Sequence, residues 1–199
     1  MQRSAATAGA GGSSDARLVF TVGHGARPID AFLAVLSQAS VSVVADVRRF
    51  PGSRRHPHFG REALAEALAG SGIGYEWHGR SLGGRRTALP GSRHTALRHG
   101  AFAGYADHMD TAEFRAAVDE LVARAGAERL VVMCAETLWW HCHRMLLADA
   151  LAMRGATVVH LIDLGRQDAY RPHPTVRRGP DGWPVYDVPD TLPGVPARP

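Results

Sequence analysis

The chain has 199 residues, 45% hydrophobic and 21% charged, which is ordinary for one soluble globular domain and excludes a wholly disordered chain, a collagen or a disulfide-stapled miniprotein. No run approaches the ~18 apolar residues of a membrane span, so no integral membrane protein is expected. The net charge is +4, and all 23 basic residues are arginine. A coding bias toward Arg, Ala and Gly accounts for this. So does a need for planar guanidinium groups that grip phosphate or carboxylate in two-pronged fashion.

Residues 1–16 are rich in Gly, Ser and Ala and lack the apolar stretch of a secretory signal, which predicts a flexible arm. The two cysteines, Cys134 and Cys142, are too few for a secreted scaffold, so a reducing cytoplasm is the expected compartment.

Leu18 to Val22 is a short apolar run ended by Gly23 and reads as a buried strand. Ile29 to Ala39 repeats apolar residues at helical spacing behind Pro28. Val41 to Val47 is a second strand, and Arg48 to Gly60 a loop with Pro51, Gly52 and Pro57. Arg61 to Ala69 reads as a helix and Ile73 to Trp77 as a third strand. Gly79 to Gly100 is irregular; a loop of that length inside a domain is usually functional or mobile. Helices follow at Ala101 to Met109 and at Thr111 to Ala125, the second with Thr111 as its cap. Leu130 to Met133 is a strand, Trp139 to Met153 one continuous helix, and Ala156 to Leu161 the last strand. From Gln167 onward Pro, Arg and Gly dominate; that tail is expected to be extended or disordered, with Trp183, Val185 and Tyr186 available to dock on the body or on a second subunit.

Nearly all-apolar strands alternating with helices predict an α/β three-layer sandwich over 17–166, with a mostly parallel sheet of about five strands and helices on both faces. In such open sheets ligands bind beyond the carboxyl ends of the strands. Three of those ends carry polar residues: His24 between two glycines; Asp46, Arg48, Arg49, Arg54 and Arg55; and Cys134, Glu136, Cys142, His143 and Arg144.

Each group has two sides. The arginines after the second strand could clamp phosphate while Asp46 orients one of them or acts as a base, or an Asp–Arg pair could simply tie down the loop. His24 suits acid/base work, or is a surface imidazole in a tight turn. Cys142 falls in the first turn of the expected helix, where unpaired N–H groups favour an anion and a nucleophilic thiolate. Three readings of this stretch stand: a reactive thiol with Glu136 as acid/base, a phosphate site with the cysteines as fillers, or a metal bound by Cys134, Cys142, His141 and His143. The spacing C-x7-C-H matches no common zinc pattern, and no metal is expected. Neither cysteine has the Arg six positions on that a phosphatase or rhodanese loop needs, and no phosphate-binding Gly loop or dinucleotide fingerprint occurs. Of the adjacent Trp139 and Trp140, one is expected in the core and the other at the crevice.

The chain also resembles a known bacterial and archaeal family, domain of unknown function family 488. The matching pieces are Thr21-Val-Gly-His24; Asp46-Val-Arg48 with Pro51, Ser53-Arg54, Pro57 and Phe59; Leu64 through Ile73 and Tyr75; Leu82-Gly83-Gly84; and Cys134-Ala-Glu136 to Cys142-His143-Arg144 with Leu147-Ala-Asp149. They run in order between about Val19 and Ile162, and many members have Pro where this chain has Trp139. The resemblance implies a compact α/β sandwich and no established activity.

The expectation is an enzyme acting on an anionic small molecule, phosphate-bearing or nucleotide-like, at the strand carboxyl edge. Arg48, Arg54, Cys134, His143 and Arg144 would bind it; His24, Asp46, Glu136 and Cys142 would do the chemistry. The alternative is a non-catalytic nucleic-acid-binding or regulatory module, which the arginines of residues 79–100 favour. A homodimer is a further expected partner state, a membrane is not, and a cysteine redox sensor is a third reading.

Overall fold

The computed structural model describes residues 17–52 and 55–187. Arg54 and the arm over 1–16 lie outside the described residues, as does the end of the tail. β1 (Leu18–Gly23), β2 (Val43–Asp46), β3 (Gly74–Trp77), β4 (Leu130–Cys134), β5 (Thr157–Asp163) and β6 (Arg166–Ala169) form one sheet in the order β3-β2-β4-β1-β5-β6. All neighbours are parallel except β5 and β6. β4 returns late in the chain to fill the slot between β1 and β2, with Val132 paired to both Thr21 and Ala45. This insertion sets the ends of β1, β2 and β4 side by side.

The strands are apolar throughout because alternate residues enter two separate cores. Val19, Ala45, Val132 and Cys134 face one side, and Phe20, Val22, Val44 and Met133 the other. α1 (Ile29–Gln38) and α2 (Arg61–Gly70) cover the second face through Phe32, Leu36, Leu64 and Leu68. α3 (Gly100–Met109), α4 (Ala112–Arg124) and α5 (Arg144–Met153) cover the first through Tyr105, Phe114, Leu121 and Leu147. Thr111 caps α4, accepting from the Phe114 N–H at 3.3 Å. No described helix is long and apolar enough to cross a membrane.

Three features differ from the sequence reading. A sixth, polar strand, β6, lies antiparallel at the sheet edge, where no apolar pattern is required. The described part of the segment past Gln167 is built into the fold: β7 (Val176–Arg178) and β8 (Pro184–Tyr186) pair as a hairpin packed on α5. Its Trp183 is stacked between the guanidinium groups of Arg115 and Arg154, each about 5 Å from the ring, and Tyr186 donates to Asp149 at 2.8 Å. Finally, the helix expected from Trp139 is broken. A 3-10 turn spans Trp139–His141, Cys142 is extended (φ −130°, ψ 151°), and α5 starts only at Arg144, capped by His143. Tertiary contacts hold the break open: Trp139 stacks flat on buried His160 at 4.4 Å and donates to Asp168, while Arg144 reaches back to the carbonyls of Glu136 and Thr137.

Residues 79–99 have no regular structure but are anchored. Tyr105 donates to the Leu82 carbonyl at 3.0 Å, His108 bonds that of Ser81 at 2.7 Å, and Arg93 pairs with Asp110.

Candidate functional site

Beyond the ends of β1, β2 and β4 lies a cavity of about 700 Å³. Its wall includes His24, Arg48, Arg49, Arg55, Arg85, Cys134, Glu136, Cys142 and His143. Six of the expected site residues thus meet there: His24, Arg48, Cys134, Glu136, Cys142 and His143. Asp46 and Arg144 do not reach the wall.

Asp46 is fully buried behind Arg48. Its carboxylate accepts from Arg48 Nη2 at 2.6 Å, from Nε at 2.9 Å, from the Arg48 backbone N–H at 2.9 Å and from Tyr75 Oη at 2.8 Å. Burial and this carboxylate push the Tyr75 phenol far up. Arg48 Nη1 donates to the Phe59 carbonyl at 2.8 Å and lies 3.2 Å from His24 Nε2. With His24 Nδ1 2.8 Å from the Gly25 carbonyl, the ring is a neutral imidazole that donates from Nδ1 and accepts from Arg48 at Nε2. Burial, then the Arg48 charge, bring its pKa down to about 4. The ring also stacks on Phe59 at 4.1 Å.

Arg144 is fully buried and donates to backbone carbonyls of residues 136 and 137 and to Thr21 Oγ1. It shapes the turn after β4 and does not face the cavity. The Glu136 carboxylate, by contrast, is exposed on the wall and has no partner among the described residues. Cys142, expected in the first helical turn, instead precedes the cap, so helix N–H groups do not explain its chemistry. Burial pushes its thiol up, but the neighbouring Cys134 thiol and the nearby His143 and Arg144 outweigh this and hold it well below the usual range. Cys134 moves well above it, because of the adjacent Cys142 sulfur and its own burial.

The sequence reading allows the arginines of the long loop, Arg85 among them, to be a solvated loop, a basic lid over an anionic substrate or a nucleic-acid contact, and it does not single out His99 or Phe102. His99 and Phe102 line the opposite wall from the start of α3, and Arg85 comes from the long loop. Arg85 has φ 57°, a left-handed conformation that costs a non-glycine residue about 1 kcal/mol or more. Arg49 holds it by donating to the Arg85 carbonyl at 2.8 Å. Glycines let the loop come this close: a Cβ on Gly83 would lie 2.1 Å from the Gly79 carbonyl oxygen, and one on Gly84 2.8 Å from His143 Nδ1.

Most of the residues on this wall fall within the match to a family model described as Domain of unknown function DUF488, over residues 28–151. The chain belongs to the DUF488 family. No curated protein and no solved structure matches it. In this DUF488 chain the matched region holds the cavity-lining residues except His24 and Gly25, which follow β1 just before it.

Proposed function

We propose that this protein is an enzyme acting on an anionic small molecule, phosphate-bearing or nucleotide-like, in the cavity at the carboxyl edge of the sheet. The observation that carries the reading is charge: Arg48, Arg49, Arg55 and Arg85 line the cavity, against a single carboxylate among the described residues, Glu136. Its volume, about 700 Å³, suits a small-molecule ligand. Phe50 and Phe102 on the wall offer planar faces to a base or similar ring.

Arg48 is held by Asp46, the Phe59 carbonyl and His24, which leaves it one Nη2 proton for an anion, so Arg49, Arg55 and Arg85 carry most of the attraction. His24 and Asp46 act in this scheme as positioning residues. Glu136 is the acid/base group, and the corner formed by Cys134, Cys142 and His143 adjoins the reacting atoms. The nucleic-acid alternative has less behind it, because Arg86 and Arg93 of the long loop are turned to the protein's own carbonyls and carboxylates.

Calorimetry and thermal shift with inorganic phosphate and adenosine mono- and diphosphate test the reading. Binding should raise the melting temperature. Arg49→Ala with Arg85→Ala should weaken binding about tenfold or more, since charged hydrogen bonds contribute roughly 1.5–3 kcal/mol each. No stabilisation by any of the three probes, or wild-type affinity in the double variant, overturns it.

A further inference from the structure

We propose that Cys134, Cys142 and His143 form a binding site for a zinc-type divalent ion, with an open fourth position turned to the cavity. The two Sγ atoms and His143 Nδ1 all lie within 4.8 Å of one another. Nδ1 stands 3.8 Å from the Cys134 sulfur and 3.6 Å from that of Cys142. For a tetrahedral ion with metal–sulfur distances of about 2.3 Å and metal–nitrogen of about 2.0–2.1 Å, sulfur and nitrogen ligands stand roughly 3.6 Å apart. The two sulfur–nitrogen separations already fit such an ion, and the two sulfurs, within 4.8 Å of each other, would close to about 3.8 Å around it.

The broken helix gains a purpose here. Cys142 and His143 are consecutive, and consecutive side chains on a helix do not face each other. Because Cys142 is extended and His143 already turns into the helix, the thiol and the imidazole converge. Cys134 joins them from the end of β4. Among the described residues the two sulfurs are the only hydrogen-bond partners of the His143 ring, whose Nε2 is buried without one. A role as ligand explains why an imidazole is placed between two thiols.

Two sulfurs and one nitrogen select a soft or borderline ion such as zinc over magnesium or calcium. Three protein ligands leave a fourth position, the arrangement of catalytic rather than structural zinc sites. All three residues are on the cavity wall, so that position is open to water or to an anionic ligand. The site stands on these three side chains alone and does not require the proposed substrate to be right.

The test uses the full chain, kept reduced and stripped with a chelator. Zinc loading followed by desalting and elemental analysis should return one ion per chain. Cobalt in its place should give the visible spectrum of a tetrahedral site together with a thiolate-to-cobalt charge-transfer band. Cys142→Ser should cut that band to about half or less and weaken binding beyond the roughly 10–100-fold that changes around metal ligands cost. Should that variant fail to fold, zinc should still protect both wild-type thiols from alkylation, and chelator should release them. Less than stoichiometric zinc, cobalt bound without the charge-transfer band, or thiols alkylated equally fast with and without zinc would each overturn the assignment. Phosphate binding measured on the stripped and the loaded protein separates this outcome from the anionic-substrate reading.

Discussion

Arg48 and Asp46 face each other across the turn at the end of β2 in a two-pronged ion pair, with Nη2 2.6 Å from Oδ2 and Nε 2.9 Å from Oδ1. Both are buried, so each charge depends on the other. Removing one partner of a buried pair strands the remaining charge and costs about 3–5 kcal/mol. Asp46→Asn is expected to lower the unfolding free energy by that amount in urea melts. A loss under ~1 kcal/mol would mean that water or another group compensates Arg48.

Two glycines should respond oppositely to alanine. A Cβ at Gly23 would lie 1.8 Å from the Glu136 carbonyl oxygen and 2.8 Å from Arg144 Nη2, where neither backbone nor buried guanidinium has room to retreat. Gly70 ends α2 with nothing within 4 Å. Gly23→Ala should disrupt the site and destabilise the fold, while Gly70→Ala should be neutral or stabilising by up to about 1 kcal/mol. Paired thermal melts read the contrast.

Asp149, between Tyr170 and Tyr186, has its pKa raised to about 6 because burial outweighs the hydrogen bonds from both phenols and the His173 N–H. A raised folded-state pKa means stability that is full below the unfolded value near 3.8 and lost as pH rises through about 6. The span corresponds to roughly 2–3 kcal/mol at ~1.4 kcal/mol per unit. Asp149→Asn should remove this pH dependence, checked by denaturation at pH values on both sides of the transition.

His160 pulls the other way. It is buried beneath Trp139 and 2.7 Å from Thr21 Oγ1, and burial followed by the Arg144 charge lowers its pKa to about 4. A lowered imidazole pKa contributes stability that is present above the unfolded value of 6.5 and lost as pH falls through about 4. In the Asp149→Asn background stability should therefore decline on acidification, and His160→Gln should reduce the decline.

The C-terminal hairpin should be part of the cooperative fold. Trp183→Ala removes a 6%-exposed ring packed on Phe114 and between two arginines, and should cost about 3–5 kcal/mol. An unchanged melting temperature would show the hairpin to be an independent appendage.

The layered α/β architecture was legible in the sequence because it rests on local signals. Buried parallel strands must be apolar along their length, helices must repeat apolar residues every three to four positions, and Thr111 caps whichever helix follows it. The polar residues at the ends of β1, β2 and β4 were legible for the same reason: a strand's carboxyl end is a local position. What lay beyond one segment's reach was decided in three dimensions. β6 needs no apolar pattern at an edge, and the hairpin's order comes from Trp183 and Tyr186 finding surfaces on distant elements. Nothing near Cys142 in the chain announces a helix break, because the break is held by Trp139 on His160 and by Arg144 reaching back to carbonyls of residues 136 and 137. The same long-range packing turned Arg144 and Asp46 inward and Arg85 toward the cavity. Residue type sets which charges and thiols a chain possesses; only the balance of burial and partners in the folded state sets which of them face a ligand.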